Sequence, residues 1–255
     1  MTWDPALYLR FGDERTQPAR DLLAGVAHEA PTSVIDLGCG PGNSTAVLRA
    51  RWPRAHITGL DSSPSMLDEA RRRDGSIAWV LGDVARWIPE HAYDVIFANA
   101  VLHWVPAHRP LLASWLSRMA EGGALAFQVP QPPQSVVHEA LATLVASAEW
   151  RARFRELPPP PEVAAPADYH ATLEGAGARV ASWVTEYHHV LADAAAAVDW
   201  VRATGLRPYL DALDDDDARA ALCRALEAAV AARSPRLAGG RVLFAFRRLF
   251  VVATR

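Results

Sequence analysis

Glycines at 38, 40 and 42 follow the apolar run Val34-Ile35-Asp36-Leu37 and precede a helix-like stretch from Ser44. Glycine at such a turn lets the chain reverse tightly and lets backbone amides approach a ligand. Asp36, inside the run, is costly to bury unless paired, and a ligand ammonium group or donors from the turn would pair it. Asp61 closes the next apolar run, 25 positions further on, where a carboxylate accepts hydrogen bonds from ribose hydroxyls. Asp83 follows a third run, with Val84 beside it; an acid there accepts from an exocyclic amino group and a valine lies against a base, which suits adenine. Asn99 and then His103-Trp104 follow a fourth run. A dinucleotide fingerprint would place Gly or Ala six positions from Gly38 counted inclusively, beneath a pyrophosphate. Asn43 stands there, so the pattern describes a ligand with a ribose and no required diphosphate.

These residues need a frame that gathers them. The runs 34–37, 56–61, 77–81, 93–98 and 124–129 are short, apolar and β-branched, and read as strands buried on both faces. Helix-like stretches at 44–51, 65–73 and 109–120 separate them, the second opened by Asp61-Ser62-Ser63-Pro64. The alternation predicts an α/β fold, a doubly wound, mostly parallel sheet with right-handed crossovers. In such sheets ligands bind at the carboxyl ends of the strands, where all of these acids fall.

After Pro130 the composition changes. A helical stretch over 135–155 is followed by Leu157 and a proline run at 158–161, read as an extended surface link. A helix over 167–174 and a strand over 180–190 return to the core. A second helical insertion follows, broken at Gly205 and Pro208, its last helix opened by the acidic run 214–217. Residues 241–254 read as a terminal hairpin or one bulged strand. The division expected is an N-terminal lid with helices over 1–30, core over 31–130, cap insertion over 131–167, core over 168–192, second cap over 193–238 and C-terminal core strand or strands over 239–255.

The chain has 255 residues, 51% apolar and 22% charged, with a net charge of −3, so it can bury a full core and offers no positive field for nucleic acid. All 26 basic residues are arginine, which weakens any argument from the choice of Arg at one position. Cys39 and Cys223 have no metal-type spacing and no disulfide framework, so no metal is expected. No stretch approaches a membrane span or a signal peptide, and a cytoplasmic enzyme, monomeric or weakly homo-oligomeric, is the expectation.

The succession Asp36 to Gly42, Asp61, Asp83 and Asn99 resembles the motifs of class I S-adenosylmethionine-dependent methyltransferases over about 34–129. A closer resemblance covers nearly the whole chain. Trp3-Asp4-Pro5, Tyr8-Leu9, Asp61-Ser62-Ser63-Pro64, Phe97-Ala98-Asn99-Ala100, His103-Trp104-Val105-Pro106, Thr204-Gly205-Leu206-Arg207-Pro208 and Phe246-Arg247-Arg248-Leu249-Phe250 are similar to the trans-aconitate 2-methyltransferase family. The resemblance implies a Rossmann-like core with a C-terminal antiparallel strand and helical caps. It implies S-adenosyl-L-methionine as methyl donor, S-adenosyl-L-homocysteine as product, and a small polycarboxylic acid esterified on one carboxylate. Asp36, Gly38, Gly40, Asn43, Asp61, Ser62, Asp83, Val84, Asn99 and His103 are then expected at the cofactor. The chain departs from the family pattern at Gln131-Pro132-Pro133, near the expected acceptor pocket.

A carboxylate is already ionised at neutral pH, so no catalytic general base is required and catalysis is by positioning. The acceptor needs convergent cations. Arg10, Arg15, Arg207, Arg247 and Arg248 lie in segments that could face the cleft, and alternation along a strand sends Arg247 and Arg248 to opposite faces. The same rule lets at most one of His188 and His189 see it. Trp3, Tyr8, Arg15, Trp104, His188, Arg207 and Arg247 are the residues expected at the substrate, with Trp3 and Tyr8 closing over the site to exclude water. The alternatives are a methyltransferase of the same outline acting on another small acid or natural-product intermediate, a nicotinamide-dependent oxidoreductase, against which Asn43 and Asp83 speak, and a catalytically silent binding protein.

Overall fold

The computed structural model describes residues 9–131, 135–157, 163–202, 204–235 and 237–255. The expected apolar runs form β1 (Ser33–Leu37), β2 (His56–Asp61), β3 (Ala78–Leu81), β4 (Val95–Asn99) and β5 (Ala124–Pro130). With β6 (Arg179–Leu191) and β7 (Val242–Thr254) they make one seven-stranded sheet in the order β3-β2-β1-β4-β5-β7-β6. β1 to β5 are mutually parallel, and β7 runs antiparallel to both β5 and β6. The doubly wound, Rossmann-like α/β class expected from the sequence is the class found.

One face of the sheet carries α1 (Gly12–Ala24) and α2 (Asn43–Arg51); the other carries α4 (His108–Ser117) and α6 (Pro166–Gly175). α3 (Pro64–Arg73) starts where Ser63 accepts the amide of Met66 at 3.4 Å with Pro64 in the first turn, and ends on Arg71, Arg72 and Arg73. Both ends follow from helix polarity. α1, expected as part of a lid, is instead a layer of the core. Its spacing Ala19, Leu22, Leu23, Val26 makes an apolar stripe that packs on Val34, Phe97 and Phe250. Burying each such large side chain contributes about 1.5–3 kcal/mol.

The cap is built from α5 (Val136–Val145), α7 (Ala194–Arg202), α8 (Arg207–Asp211) and α9 (Asp216–Arg233). Trp150, Trp200, Leu206, Leu222 and Leu226 form its core together with Phe244 of β7. The sheet itself explains how the cap attaches. β6 and β7 pair from Arg179 opposite Thr254 to Leu191 opposite Val242, whereas β5 ends at Pro130 opposite Arg248. Residues 242–247 therefore project beyond the carboxyl end of β5 and carry the cap over the strand ends.

Two local expectations differ from the structure. The helix expected over 135–155 stops at Val145, and turns follow because Trp150 and Phe154 fold into the cap core, where burial overrides local propensity. Pro208 begins α8 instead of breaking a helix, since a missing amide costs nothing in a first turn. Of the two readings of 241–254, the single strand is the one found, over Val242–Thr254. The acidic run opens α9 as expected, with Asp215 accepting the amide of Ala218 at 2.6 Å. No helix among the described residues is long and apolar enough to cross a membrane.

Candidate functional site

The turn after β1 uses three left-handed glycines, Gly38 at φ +67°, Gly40 at +55° and Gly42 at +87°. A Cβ on Gly38 would stand 2.3 Å from Cγ2 of Val101, so this position is closed by the loop after β4. A Cβ on Gly40 would meet nothing within 4 Å. The backbone is thus packed on one side at Gly38 and open at Gly40. Beneath the turn Asp36 is fully buried, and its Oδ2 accepts from Ser44 Oγ at 2.7 Å and Thr45 Oγ1 at 2.6 Å. Its Oδ1 is buried without a hydrogen-bond partner. Burial lifts the Asp36 carboxyl to about 7 against the hydrogen bonds from Thr45 and Ser44, and Asp61 adds to the rise.

Asp61 ends β2 and clamps the turn, accepting the amide of Gly40 on Oδ2 and that of Ser63 on Oδ1, each at 2.8 Å. Ser62 beside it is exposed. Asp83 is exposed after β3 and accepts the amide of Ala85 at 2.9 Å, while Val84 is buried. Asn99 ends β4 and its Oδ1 accepts from Gln128 Nε2 at 2.8 Å. Ala100 then takes φ +58°, a strained value for a residue with a Cβ, and re-aims the chain into the His103-Trp104 loop. That loop is pinned from below: His108 Nε2 meets Tyr169 Oη at 2.8 Å and its Nδ1 meets the carbonyl of Val105 at 3.1 Å. Parallel pairing thus brings Gly38, Asp61, Asp83 and Asn99 to one edge of the sheet.

Asn43 differs from expectation. Its amide donates to Thr16 Oγ1 at 3.2 Å and accepts from Arg73, so its side chain ties α1 and α3 to the start of α2. A solvent-open groove of about 950 Å³ lies between α1 and α2, with Asn43 and Arg73 in its lining.

On the acceptor side, strand alternation decides most assignments. Half-buried Arg247 and exposed His188 lie on the face away from α1, around Glu186, at 4.0 Å and 3.2 Å respectively. Both were expected at the substrate, and the register sends them outward. Their neighbours Arg248 and His189 turn inward. Arg248 is 8% exposed and its guanidinium lies 3.9 Å from the centroid of the Phe246 ring. His189 stacks on Trp200 with ring centroids 4.9 Å apart. Arg15 lies over the Trp200 ring at 5.0 Å and donates to the Trp200 carbonyl at 2.8 Å. Arg10 is ion-paired with Asp199. Arg207 turns along its own helix to Asp211, 2.8 Å away, while its neighbour Gly205 faces His138: a Cβ there would stand 3.5 Å from His138 Nε2. Trp104 is half-buried beside His103, centroids 4.9 Å apart. Trp3 and Tyr8 lie outside the described residues.

The histidines around Arg248 are held neutral. Burial, then the charge of Arg248, takes His103 down to about 3 and His138 down to about 4. His189 is lowered by burial, with Glu14 opposing and Arg248 reinforcing. His103 Nδ1 and Gln128 Oε1 are buried without hydrogen-bond partners. Gln128 and His138 were not placed at the site from sequence, and Arg248 was named there only as a candidate to face the cleft. Gln128 had a signal, one polar residue in the apolar run 124–129; His138, on a cap helix, had none.

The comparisons with known proteins agree with this layout. The methyltransferase domain family matches residues 34–123. A trans-aconitate 2-methyltransferase of Methylobacterium radiotolerans is 49% identical over 260 residues, covering 99% of this chain and 98% of that one. That of Azoarcus is 45% identical over 257 residues, covering 100% and 99%. Among solved structures, the YcgJ protein of Bacillus subtilis aligns with a TM-score of 0.59 at 13% identity over 93% of this chain and 97% of that one. An S-adenosylmethionine-dependent methyltransferase of Mesorhizobium loti aligns with a TM-score of 0.52 at 18% identity over 92% and 96%. At such identities the structural likeness bears on the fold alone. The near-full-length identity to the curated relatives, cap included, carries more: the chain belongs to the trans-aconitate 2-methyltransferase family of methyltransferases.

Proposed function

We propose that this protein transfers the methyl group of S-adenosylmethionine to a carboxylate of a small polycarboxylic acid, trans-aconitate, giving a monomethyl ester and S-adenosylhomocysteine. The observation that carries the reading is that the identity to trans-aconitate 2-methyltransferases spans 99% of the chain. A match confined to the strand-end crevice would point only to the donor, since that crevice serves many acceptors. Here the cap that frames the acceptor side is matched as well.

The crevice suits the donor. Asp36 has a buried, unpartnered Oδ1 under the turn, fitted to compensate a cation, and Gly40 leaves open space above it. In this reading Asp61 accepts from the ribose, Asp83 and Val84 hold the adenine, Ser62 and the glycine turn line the path between, and Asn99 with His103 flank the sulfonium end. The bound sulfonium supplies an electrophilic methyl group. The chain's own residues hold the acceptor oxygen about 3–3.5 Å from that methyl and in line with the breaking bond. The acceptor carboxylate is ionised at neutral pH, so no side chain has to take a proton, and neutral His103 is suited to donate a hydrogen bond. Trp104 and the cap exclude water from the reacting pair.

The test is transfer of labelled methyl from S-adenosylmethionine to a panel of di- and tricarboxylic acids, with the product identified as an ester by mass and by alkaline lability. Methylation of trans-aconitate in preference to the others is the expected result. Donor binding without an ester from any acid would refute the reading.

A further inference from the structure

Gln128 is the one polar residue of β5 and is 1% exposed. Its Nε2 donates to Asn99 Oδ1 at 2.8 Å, and its Oε1 is buried without a hydrogen-bond partner among the described residues. An amide oxygen taken from water and left unpaired is costly, so this one calls for a partner from outside the chain. Register fixes where it lies. Paired residues share a face of the sheet. Asp36 stands opposite Phe97, Phe97 opposite Ala126 and Asn99 opposite Gln128, so alternation puts Asp36, Asn99 and Gln128 on one face. β4 lies between β1 and β5. Gln128 is therefore the neighbour of Asn99 on the side away from the glycine turn, at the carboxyl edge of the strands. Asp36 Oδ1 and Gln128 Oε1, both buried and unpartnered, thus flank β4.

We infer that Gln128 Oε1 is the oxygen that faces the sulfonium of the donor, and that through it the site favours the charged donor over the neutral sulfide left after transfer. This rests on the proposed donor site and adds to it a positioning residue that responds to the donor's charge. A sulfonium has no N–H to donate. Its charge is spread over sulfur and the attached carbons, whose hydrogens are weak donors to a carbonyl oxygen. In a pocket closed to water that dipole counts for more than in solution. Asn99 holds the other end of the amide, so Oε1 cannot turn away without breaking the 2.8 Å bond. His103, in the loop that follows Asn99, is held neutral chiefly by burial and adds no competing charge. On transfer, a lone pair of the acceptor oxygen forms the new bond to the methyl carbon and the S–C bonding pair stays on sulfur. The charge that Oε1 faced is then gone, and the oxygen meets a lone pair instead.

The test is calorimetric titration of S-adenosylmethionine, with no acceptor present, and of S-adenosylhomocysteine into wild type, Gln128→Met and Gln128→Glu. Met matches the length of Gln and removes both amide atoms, whereas Glu keeps an oxygen where Oε1 stands. Gln128→Met should bind the sulfonium about two- to fivefold more weakly, while the sulfide binds as in wild type or more tightly. Gln128→Glu should favour the sulfonium over the sulfide at least as strongly as wild type. Equal weakening of both ligands, or no change in either, would overturn the assignment, the first by showing a merely structural role. A Met variant that shifts the ratio toward the sulfonium would overturn it too, by showing that an N–H and not an oxygen faces the sulfur. If the Met variant does not melt cooperatively, the Glu variant decides, and a preference for the sulfonium below that of wild type refutes the inference. Wild type that binds neither ligand would instead remove the donor site on which the inference rests.

Discussion

Gly40→Ala isolates the donor crevice from the stability of the fold. Gly40 has φ +55° and a Cβ there would meet no atom within 4 Å. The added methyl costs the strain of a left-handed alanine, about 1–2 kcal/mol, offset by about 0.4–1 kcal/mol from the stiffer unfolded chain. A net loss near 1 kcal/mol lowers the melting temperature of a chain this size by about 2–4 °C. S-adenosylhomocysteine at a hundred times its Kd stabilises wild type by about 2.7 kcal/mol, a rise of about 5–11 °C. If the open space over Gly40 is where the donor passes, the methyl overlaps it at a cost of about 1–3 kcal/mol, and the ligand-induced rise should shrink to about two thirds or less. Gly38→Ala is the control with the opposite profile. Its Cβ would lie 2.3 Å from Val101 Cγ2, so the ligand-free protein itself should melt well below the Gly40 variant. Thermal melts of the three proteins with and without the ligand are the assay. A Gly40→Ala protein that keeps the whole wild-type rise would refute the placement of the donor.

Asp61→Ala should weaken donor binding at least tenfold with little change in acceptor KM, read by calorimetry and steady-state kinetics; equal effects on both would dissociate Asp61 from the ribose. Asp36, lifted to about 7 by burial, binds its proton more tightly folded than unfolded, so its ionisation weakens the ligand-free fold as pH rises from about 4 to about 7. The gain in stability from Asp36→Asn should therefore be larger at about pH 8 than at about pH 5, up to about 4 kcal/mol at full ionisation, read as a larger rise in melting temperature, and a pH-independent difference would contradict it. Arg247→Ala should leave the acceptor KM within about twofold, as for an exposed ion pair with Glu186; a large rise would mean that the outward face of β7 takes part in binding.

The strand-end acids were legible because their signal is local. Asp36 before three glycines and Asp61 after the next apolar run are read from spacing within single βα units, and parallel pairing then has only one way to gather them. The acceptor side was legible only as a choice. Alternation showed that Arg247 and Arg248, and likewise His188 and His189, must part, yet nothing in the sequence says which member faces inward. α1 was misassigned as a lid because its apolar stripe does not name the surface it covers.

The amino-acid sequence by itself determined the order of strands and helices, the turn that cradles a donor and the acids around it, since each depends on neighbours close along the chain. Tertiary structure decided the rest. The register of β7 between β5 and β6 turned Arg248 and His189 inward and Arg247 and His188 to solvent. The packing of Trp150, Trp200 and Phe244 set the cap, and with it His138, over the strand ends. Those outcomes come from pairing residues far apart in sequence, where one step of slip along a strand would exchange every side chain between the two faces.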